Sequence, residues 1–249
     1  MGQHRGFLFL ILLAGTLLGG GRSPSGSEHS PSPEKDAWER LLSDHVTDRG
    51  FVDYKGLKQD PSLLDKAIAQ LKEEKPSKGA PRKERLAFWI NAYNAFAIQL
   101  VLDHYPIESI RDIDRAFKRS FIRIDGAKYS LNSIEKGILL KEFDDPRIHY
   151  AVNCASISCP PLRGEPYRAS ELDEQLRDQA ITFVNDPSKN RLKKDRVRIS
   201  KIYDWYKGDF TKNGSLIGHL NEYAKDVRIE GEASIAYMEY DWGLNQKSR

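Results

Sequence analysis

One segment constrains the fold of this chain more than any other, because residues 82–104 carry apolar side chains nearly all the way round a helical projection. Between residues 86 and 102 the run is interrupted only by Asn91, Asn94 and Gln99. A helix without a polar face is buried, so we expect this one at the centre of a domain. Asn91 and Asn94 lie three positions apart and would be buried together, where each amide needs a hydrogen-bond partner.

Length and charge limit the classes of protein that this chain can belong to. Its 249 residues suffice for one domain with a full core. Thirty-nine basic residues are interleaved with 36 acidic ones, for a net charge of +3, and this balance favours no nucleic-acid partner. The basic cluster at residues 191–198 alternates with apolar residues, which indicates the exposed face of a strand.

The N-terminus resembles an export signal. Residues 7–18 are mostly apolar and residues 19–21 are three glycines, whereas a membrane-spanning helix needs about 20 apolar residues. We therefore predict a signal peptide over residues 1–21 and a periplasmic or extracellular protein with no membrane attachment after cleavage. An uncleaved N-terminal anchor is the alternative. Residues 22–35 are rich in Ser, Pro and Gly and are predicted to be a disordered linker.

The rest of the chain, residues 36–249, is predicted to form a single mixed α+β domain. Its helical N-terminal part covers residues 36–75, and its core covers residues 82–245. Helical and strand patterns are mixed without a regular β-α-β repeat, so we expect the central helix to pack on a small antiparallel or mixed sheet. Further helices are predicted from residue 132 and at 170–184 and 215–224, a hairpin at Asp125-Gly126, and strands at 148–152, 192–200 and 235–240.

Both cysteines, Cys154 and Cys159, lie in one short segment, so any thiol chemistry must occur there. A predicted strand at residues 148–152 would deliver Cys154 to a strand end, where sites are often built. A nucleophilic thiol needs a base nearby, and His149 is the nearest histidine in sequence. On a regular strand the two side chains would lie on opposite faces and about 16 Å apart, so the base is either His149 after a chain reversal or another histidine.

Other interpretations compete at the same residues. Glu135 is either a third catalytic group or part of a capping box with Asn132. In an oxidising compartment, Cys154 and Cys159 are candidates for a disulfide, whose short loop limits its stabilisation to about 3 kcal/mol or less. No paired His or Cys spacing typical of a metal site is present, so neither a metal nor a cofactor is predicted.

Several short strings, spread over about residues 40–245, together resemble one family. They include Val52-Asp53-Tyr54, Phe88-Trp89-Ile90-Asn91-Ala92-Tyr93-Asn94-Ala95, Ser130-Leu131, Ile134-Glu135, Asp145-Pro146-Arg147-Ile148-His149, Cys154-Ala155-Ser156, Ser158-Cys159-Pro160-Pro161-Leu162, Tyr203, Trp205-Tyr206 and Tyr240-Asp241-Trp242. The chain is similar in these strings to the family called domain of unknown function 547 (DUF547). The resemblance implies no particular activity, and it implies members that are exported in bacteria and intracellular in plants. One residue departs from the pattern, since Lys136 stands where members often have histidine.

Two functional hypotheses follow from these residues. The first is a cysteine-dependent hydrolase or acyl-transferase broadly like papain and transglutaminase enzymes, with Cys154, His149 and Glu135 as catalytic residues. Asn91 and Asn94 would then bind the substrate, a small molecule or peptide, unless they hold a neighbouring loop. The second is a non-catalytic binding or structural module with a Cys154–Cys159 disulfide.

Overall fold

The computed structural model describes residues 36–247, in which helices dominate and strands are short. The predicted signal peptide and linker, residues 1–35, lie outside the described residues. The helices are α1 (Ala37–His45), α2 (Tyr54–Gln59), α3 (Ser62–Glu73), α4 (Arg82–His104), α5 (Leu131–Ile134), α6 (Leu140–Phe143), α7 (Ile148–Ala151), α8 (Leu172–Val184), α9 (Ile202–Trp205), α10 (Lys207–Phe210) and α11 (Leu216–Tyr223). The strands are β1 (Ile122–Ile124), β2 (Ala127–Tyr129), β3 (Arg191–Leu192), β4 (Arg196–Ile199) and β5 (Ser234–Tyr237), and the predicted α+β class is confirmed.

Helix α4 is the buried centre of the larger of two hydrophobic cores, as its apolar surface predicts. It packs against α2, α3 and α5. It also meets the β1–β2 hairpin, where the ring of Trp89 contacts the ring of Tyr129 edge to face at 5.3 Å between centroids. Among the described helices, none is long and apolar enough to cross a membrane.

The predicted hairpin is confirmed at the turn that its dipeptide favours. Strands β1 and β2 pair antiparallel with Ile124 opposite Ala127. Asp125 and Gly126 connect them with φ angles of 51° and 73°, the left-handed values that a type I′ turn requires at both central positions.

A π-helical insertion, Glu135–Leu139, joins α5 to α6 and forms one interrupted helix. The capping box at its start consists of Ser130 and Ser133, not of Asn132 and Glu135, the pair considered as the structural alternative for Glu135. The side chain of Glu135 is therefore not used for capping, and it is buried. Insertions of this kind are frequent at functional sites.

The predicted strand at residues 148–152 is wrong, because this segment is the single-turn helix α7. Asp145 starts the turn, since its side chain accepts the N–H of Arg147 at 2.9 Å and its carbonyl accepts the N–H of Ile148 at 3.1 Å. A short apolar run does not by itself distinguish a strand from a buried helical turn. The separation of His149 and Cys154 expected for a strand therefore does not apply.

Helix α7 contributes to both hydrophobic cores, because Ile148 packs in the first and Tyr150 in the second. The second core lies between α8, α11 and a mixed sheet, in which β4 pairs antiparallel with β3 and parallel with β5. His149 lies between these two core residues in sequence and is itself buried.

The C-terminal segment, residues 243–246, joins distant parts of the domain through isolated bridges. Gly243 pairs with Ser109, Leu244 with Ser156, and Gln246 with Val52. The segment therefore fixes the position of the loop that follows Cys154.

Candidate active site

A cavity of about 380 Å³ opens beside the two cysteines. The three predicted catalytic residues, Cys154, His149 and Glu135, all line it, and so does Cys159. The remaining lining residues are mostly aromatic or basic: Tyr93, Phe117, Lys118, Asn132, Lys136, Val152, Pro160, Ile202, Trp205, Tyr206, Tyr240 and Trp242. The fold thus brings together residues from α4, the π insertion, α7, residues 154–160, α9 and the stretch that follows β5.

The thiol loop, residues 154–160, is held at both ends by the buried side chain of Asn153. Its Oδ1 accepts the N–H of Ala155 at 2.8 Å, and its Nδ2 donates to the carbonyl of Pro160 at 2.8 Å. Ala155 has a φ of 61°, a left-handed conformation that costs a non-glycine residue about 1–2 kcal/mol. Local strain of this kind persists where surrounding contacts impose it, and here it lies directly after Cys154.

Neither asparagine proposed to bind substrate lines the cavity that holds the thiols. Asn94 is buried, donates to the carbonyl of Ala151 at 2.9 Å and accepts the N–H of Asn153 at 2.8 Å. Asn91 instead binds the backbone of Tyr167 through both ends of its amide, at 2.9 and 3.0 Å. Both amides therefore bind neighbouring backbone in this structure.

The two thiols are free and lie close together, so the disulfide considered from the sequence is not formed in this structure. Cys159 Sγ accepts the backbone N–H of Cys154 at 3.0 Å and the hydroxyl of Tyr240 at 3.2 Å. The half-buried Cys154 has its Sγ 3.2 Å from Ser156 Oγ and 3.4 Å from the Tyr240 hydroxyl.

The hydrogen bonds make Cys159 the more acidic thiol of the pair. Burial raises the pKa of Cys159, but hydrogen bonds from Cys154, Tyr240 and Ser156 outweigh it and lower this pKa to about 6. The hydrogen bond to Cys159, together with burial, raises the pKa of Cys154. Of the two thiols, Cys159 therefore loses its proton more readily than Cys154.

His149 is held by a carboxylate that the sequence did not reveal. Its Nε2 lies 2.7 Å from Oδ2 of Asp209, and this hydrogen bond lowers the pKa of Asp209. The imidazole packs on the rings of Tyr206 and Phe210, with centroids 4.1 and 5.0 Å away. Within the described residues, Nδ1 makes no hydrogen bond, and none joins His149 to either sulfur.

Glu135 is connected to this histidine by Tyr206, which contacts both side chains. The hydroxyl of Tyr206 donates to Oε1 of Glu135 at 2.5 Å, and the hydroxyl of Tyr93 donates to Oε2 at 3.4 Å. Burial and the Glu135 charge raise the pKa of both tyrosines, so they remain protonated donors. Tyr206 therefore contacts Glu135 with its hydroxyl and His149 with its ring.

Sequence reasoning missed Asp209, Tyr206, Tyr240 and Ser156 as site residues. Tyr206 and Tyr240 stood in the strings that carried the family resemblance, which was the available signal. The other histidines of residues 36–247 do not line the cavity: they are His45, His104 and His219. Within residues 36–247, no group of three or more His, Cys, Asp or Glu side chains is arranged to hold a metal ion.

Comparison with known families finds a match to residues 77–184, and the matching family is described as "Protein of unknown function, DUF547". The matched stretch runs from the turn before α4 to the end of α8 and contains both cysteines, His149 and Glu135. It ends before Tyr206, Asp209 and Tyr240. No curated protein and no solved structure matches the chain.

Proposed function

The chain belongs to the DUF547 family, and on that premise we propose that its cavity is the active site of a thiol-dependent acyl-transfer enzyme, either a hydrolase or an acyl-transferase. One observation carries this proposal: Cys154, His149 and Glu135 come from three separate elements and line a single cavity. A nucleophile, a base and a group that orients them are the parts that covalent acyl transfer requires.

Cys154 is the proposed nucleophile, because this residue is half-buried whereas Cys159 is buried. Its Sγ forms a bond to the carbonyl carbon of an amide or thioester, and its proton passes to Nδ1 of His149. The imidazolium then gives that proton to the leaving amine or thiol as its bond to the carbonyl carbon breaks. Water or another nucleophile then releases the acyl group from Cys154, and the choice of acceptor separates a hydrolase from an acyl-transferase.

The neighbouring side chains have supporting roles in this scheme. Asp209 binds Nε2 of His149, which leaves Nδ1 as the nitrogen that accepts a proton. Glu135 orients Tyr206, and Tyr206 packs on the imidazole. The Tyr240 hydroxyl lies 3.4 Å from Cys154 Sγ, and its proton would turn from Cys159 Sγ to the oxyanion that forms on the substrate.

Alkylation with iodoacetamide over pH 5–8, followed by mass mapping of the labelled cysteine, tests the proposal. We expect a single label on Cys154 and a rate that rises with pH, because burial and the hydrogen bond to Cys159 raise the pKa of this thiol. Cys154→Ser should abolish labelling while leaving the melting temperature nearly unchanged. The acyl donor p-nitrophenyl acetate should acetylate the same residue, and His149→Ala should suppress the acetylation.

The Tyr240→Phe variant tests how the hydroxyl of Tyr240 affects the labelling rate. It removes the hydroxyl whose hydrogen bond lowers the pKa of Cys154, so this pKa rises further and the labelling rate should fall several-fold. Tyr237→Phe, a similar change on β5 outside the cavity, is the matched control.

Three results would contradict the proposal. A label on Cys159 would show that Cys154 is not the nucleophile. Acetylation at an unchanged rate in His149→Ala would show that His149 is not the base. No labelling before reduction, with equal thermal losses in Cys154→Ser and Cys159→Ser, would favour the non-catalytic module with a disulfide.

A further inference from the structure

One side of the cavity is a wall of three aromatic rings, Trp205, Tyr240 and Trp242. The centroid of Trp205 is 4.8 Å from that of Tyr240 and 5.9 Å from that of Trp242, and Tyr240 and Trp242 are 4.6 Å apart. Phe117 extends the wall, with its centroid 6.2 Å from that of Trp242. The wall reaches the thiols through Tyr240, whose hydroxyl contacts both sulfurs.

Packing within the protein leaves much of Trp205 uncovered. Its relative exposure of 46% is the highest among the exposed large hydrophobic residues of the described chain. A large flat ring that lies open at the edge of a cavity provides a stacking surface for a ring of a bound ligand.

Two unpaired cations stand at the same cavity. Lys118 and Lys136 line it, both are exposed, and neither forms an ion pair with another described residue. Lys118 is held there by its neighbour Phe117, whose carbonyl accepts the N–H of Asn132 at 2.9 Å. Glu135, the acidic lining residue, is buried and bonded to two tyrosines, so the accessible charge of the cavity is positive.

We propose that the cavity binds a small anionic acyl compound with a ring close to its carbonyl carbon. The acyl group is the only part of this inference that rests on the proposed acyl-transfer function. The ring would stack on Trp205 and Tyr240, beside Cys154, and the anionic group would lie near Lys118 and Lys136. A volume of about 380 Å³ is at the small end of the roughly 300–1,000 Å³ range of ligand pockets, which suits a small molecule.

Binding to the Cys154→Ser protein tests this inference without thiol chemistry. The probes are trans-cinnamate, its neutral counterpart trans-cinnamamide, and hexanoate, which is anionic but has no ring. We expect cinnamate to bind several-fold more tightly than either of the others, by tryptophan fluorescence and ligand-observed NMR. Added salt should weaken cinnamate binding, because the lysines are exposed.

Variants separate the contribution of the ring from that of the charge. Trp205→Leu should weaken binding of both cinnamyl probes by about threefold to tenfold and leave hexanoate unchanged. Lys136→Gln and Lys118→Gln should each weaken cinnamate binding by about twofold to fivefold without affecting cinnamamide. Lys141→Gln, an exposed lysine of α6 outside the cavity, is the control for charge and should change nothing.

Equal affinities for cinnamate and cinnamamide, or lysine variants with no effect, would overturn the anionic part of the inference. A Trp205→Leu protein that binds both cinnamyl probes normally would overturn the ring part, and absence of cinnamate binding would overturn both. A failed thiol-labelling experiment would instead contradict the enzyme alone, since these measurements do not involve Cys154.

Discussion

At the scale of single residues, a chain of buried hydrogen bonds supports the thiol loop from behind. Asn94 Oδ1 accepts the N–H of Asn153, and Asn153 Oδ1 accepts from Nδ2 of Asn245 at 3.1 Å. Asn245 Oδ1 in turn accepts from the hydroxyl of Tyr54 at 2.9 Å. Each of these polar groups is costly to leave unpaired in the core, so the chain fixes one position for the residues around Cys154.

Asn94→Leu and Asn91→Leu form a matched pair that tests this support. Each leaves backbone groups without a partner, so each should lower the free energy of unfolding by about 1–3 kcal/mol for each group left unsatisfied. Only Asn94→Leu should also slow alkylation of Cys154, because Asn91 binds the Tyr167 backbone instead. Denaturant titration and labelling rates provide the two measurements. An unchanged or raised denaturation midpoint in either variant would show that its amide does not stabilise the fold.

At the scale of elements, the π insertion between α5 and α6 determines where Glu135 points. The cap N–H at Glu135 already bonds back into α5, and the insertion begins at this residue. The extra residue in the turn changes the direction of the side chains that follow, so the pattern of apolar residues alone does not give the position of Lys136 at the cavity.

Alanine substitutions at two glycines in open surroundings should have opposite effects on the free energy of unfolding. Gly137 lies in the π insertion and Gly126 in the hairpin turn, and at both a Cβ atom would meet nothing within 4 Å. Gly137→Ala should raise the free energy of unfolding by about 0.5–1 kcal/mol, because alanine loses less backbone entropy in a helix. Gly126→Ala should lower it by about 1–2 kcal/mol, because its φ of +73° disfavours a side chain. Thermal melting checks both, and equal shifts would contradict the assigned conformations.

At the scale of the whole molecule, we propose that the chain is exported. The apolar run at residues 7–18, with the glycines after it, supports export, and these residues lie outside the described part of the chain. We expect a mature N-terminus between about residues 19 and 27, to be measured as the intact mass of the protein recovered from the exported fraction. A full-length chain in the membrane fraction would indicate an anchor in place of a cleaved signal.

The sequence by itself determined the elements whose signals are local. The apolar surface of α4, the Asp125-Gly126 turn and the pair of cysteines could each be recognised within a few residues, because backbone preference and periodicity are short-range properties. The family resemblance also located the thiol segment, His149 and Glu135.

Only the tertiary structure decided how these residues meet. It made residues 148–151 a helix, and it paired His149 with Asp209 and Glu135 with Tyr206, which are 60 and 71 residues apart. It also brought Tyr240 to Cys154 across 86 residues. Contacts at such separations depend on how the two hydrophobic cores pack around α7 and on where the C-terminal segment returns, and no local pattern encodes that arrangement.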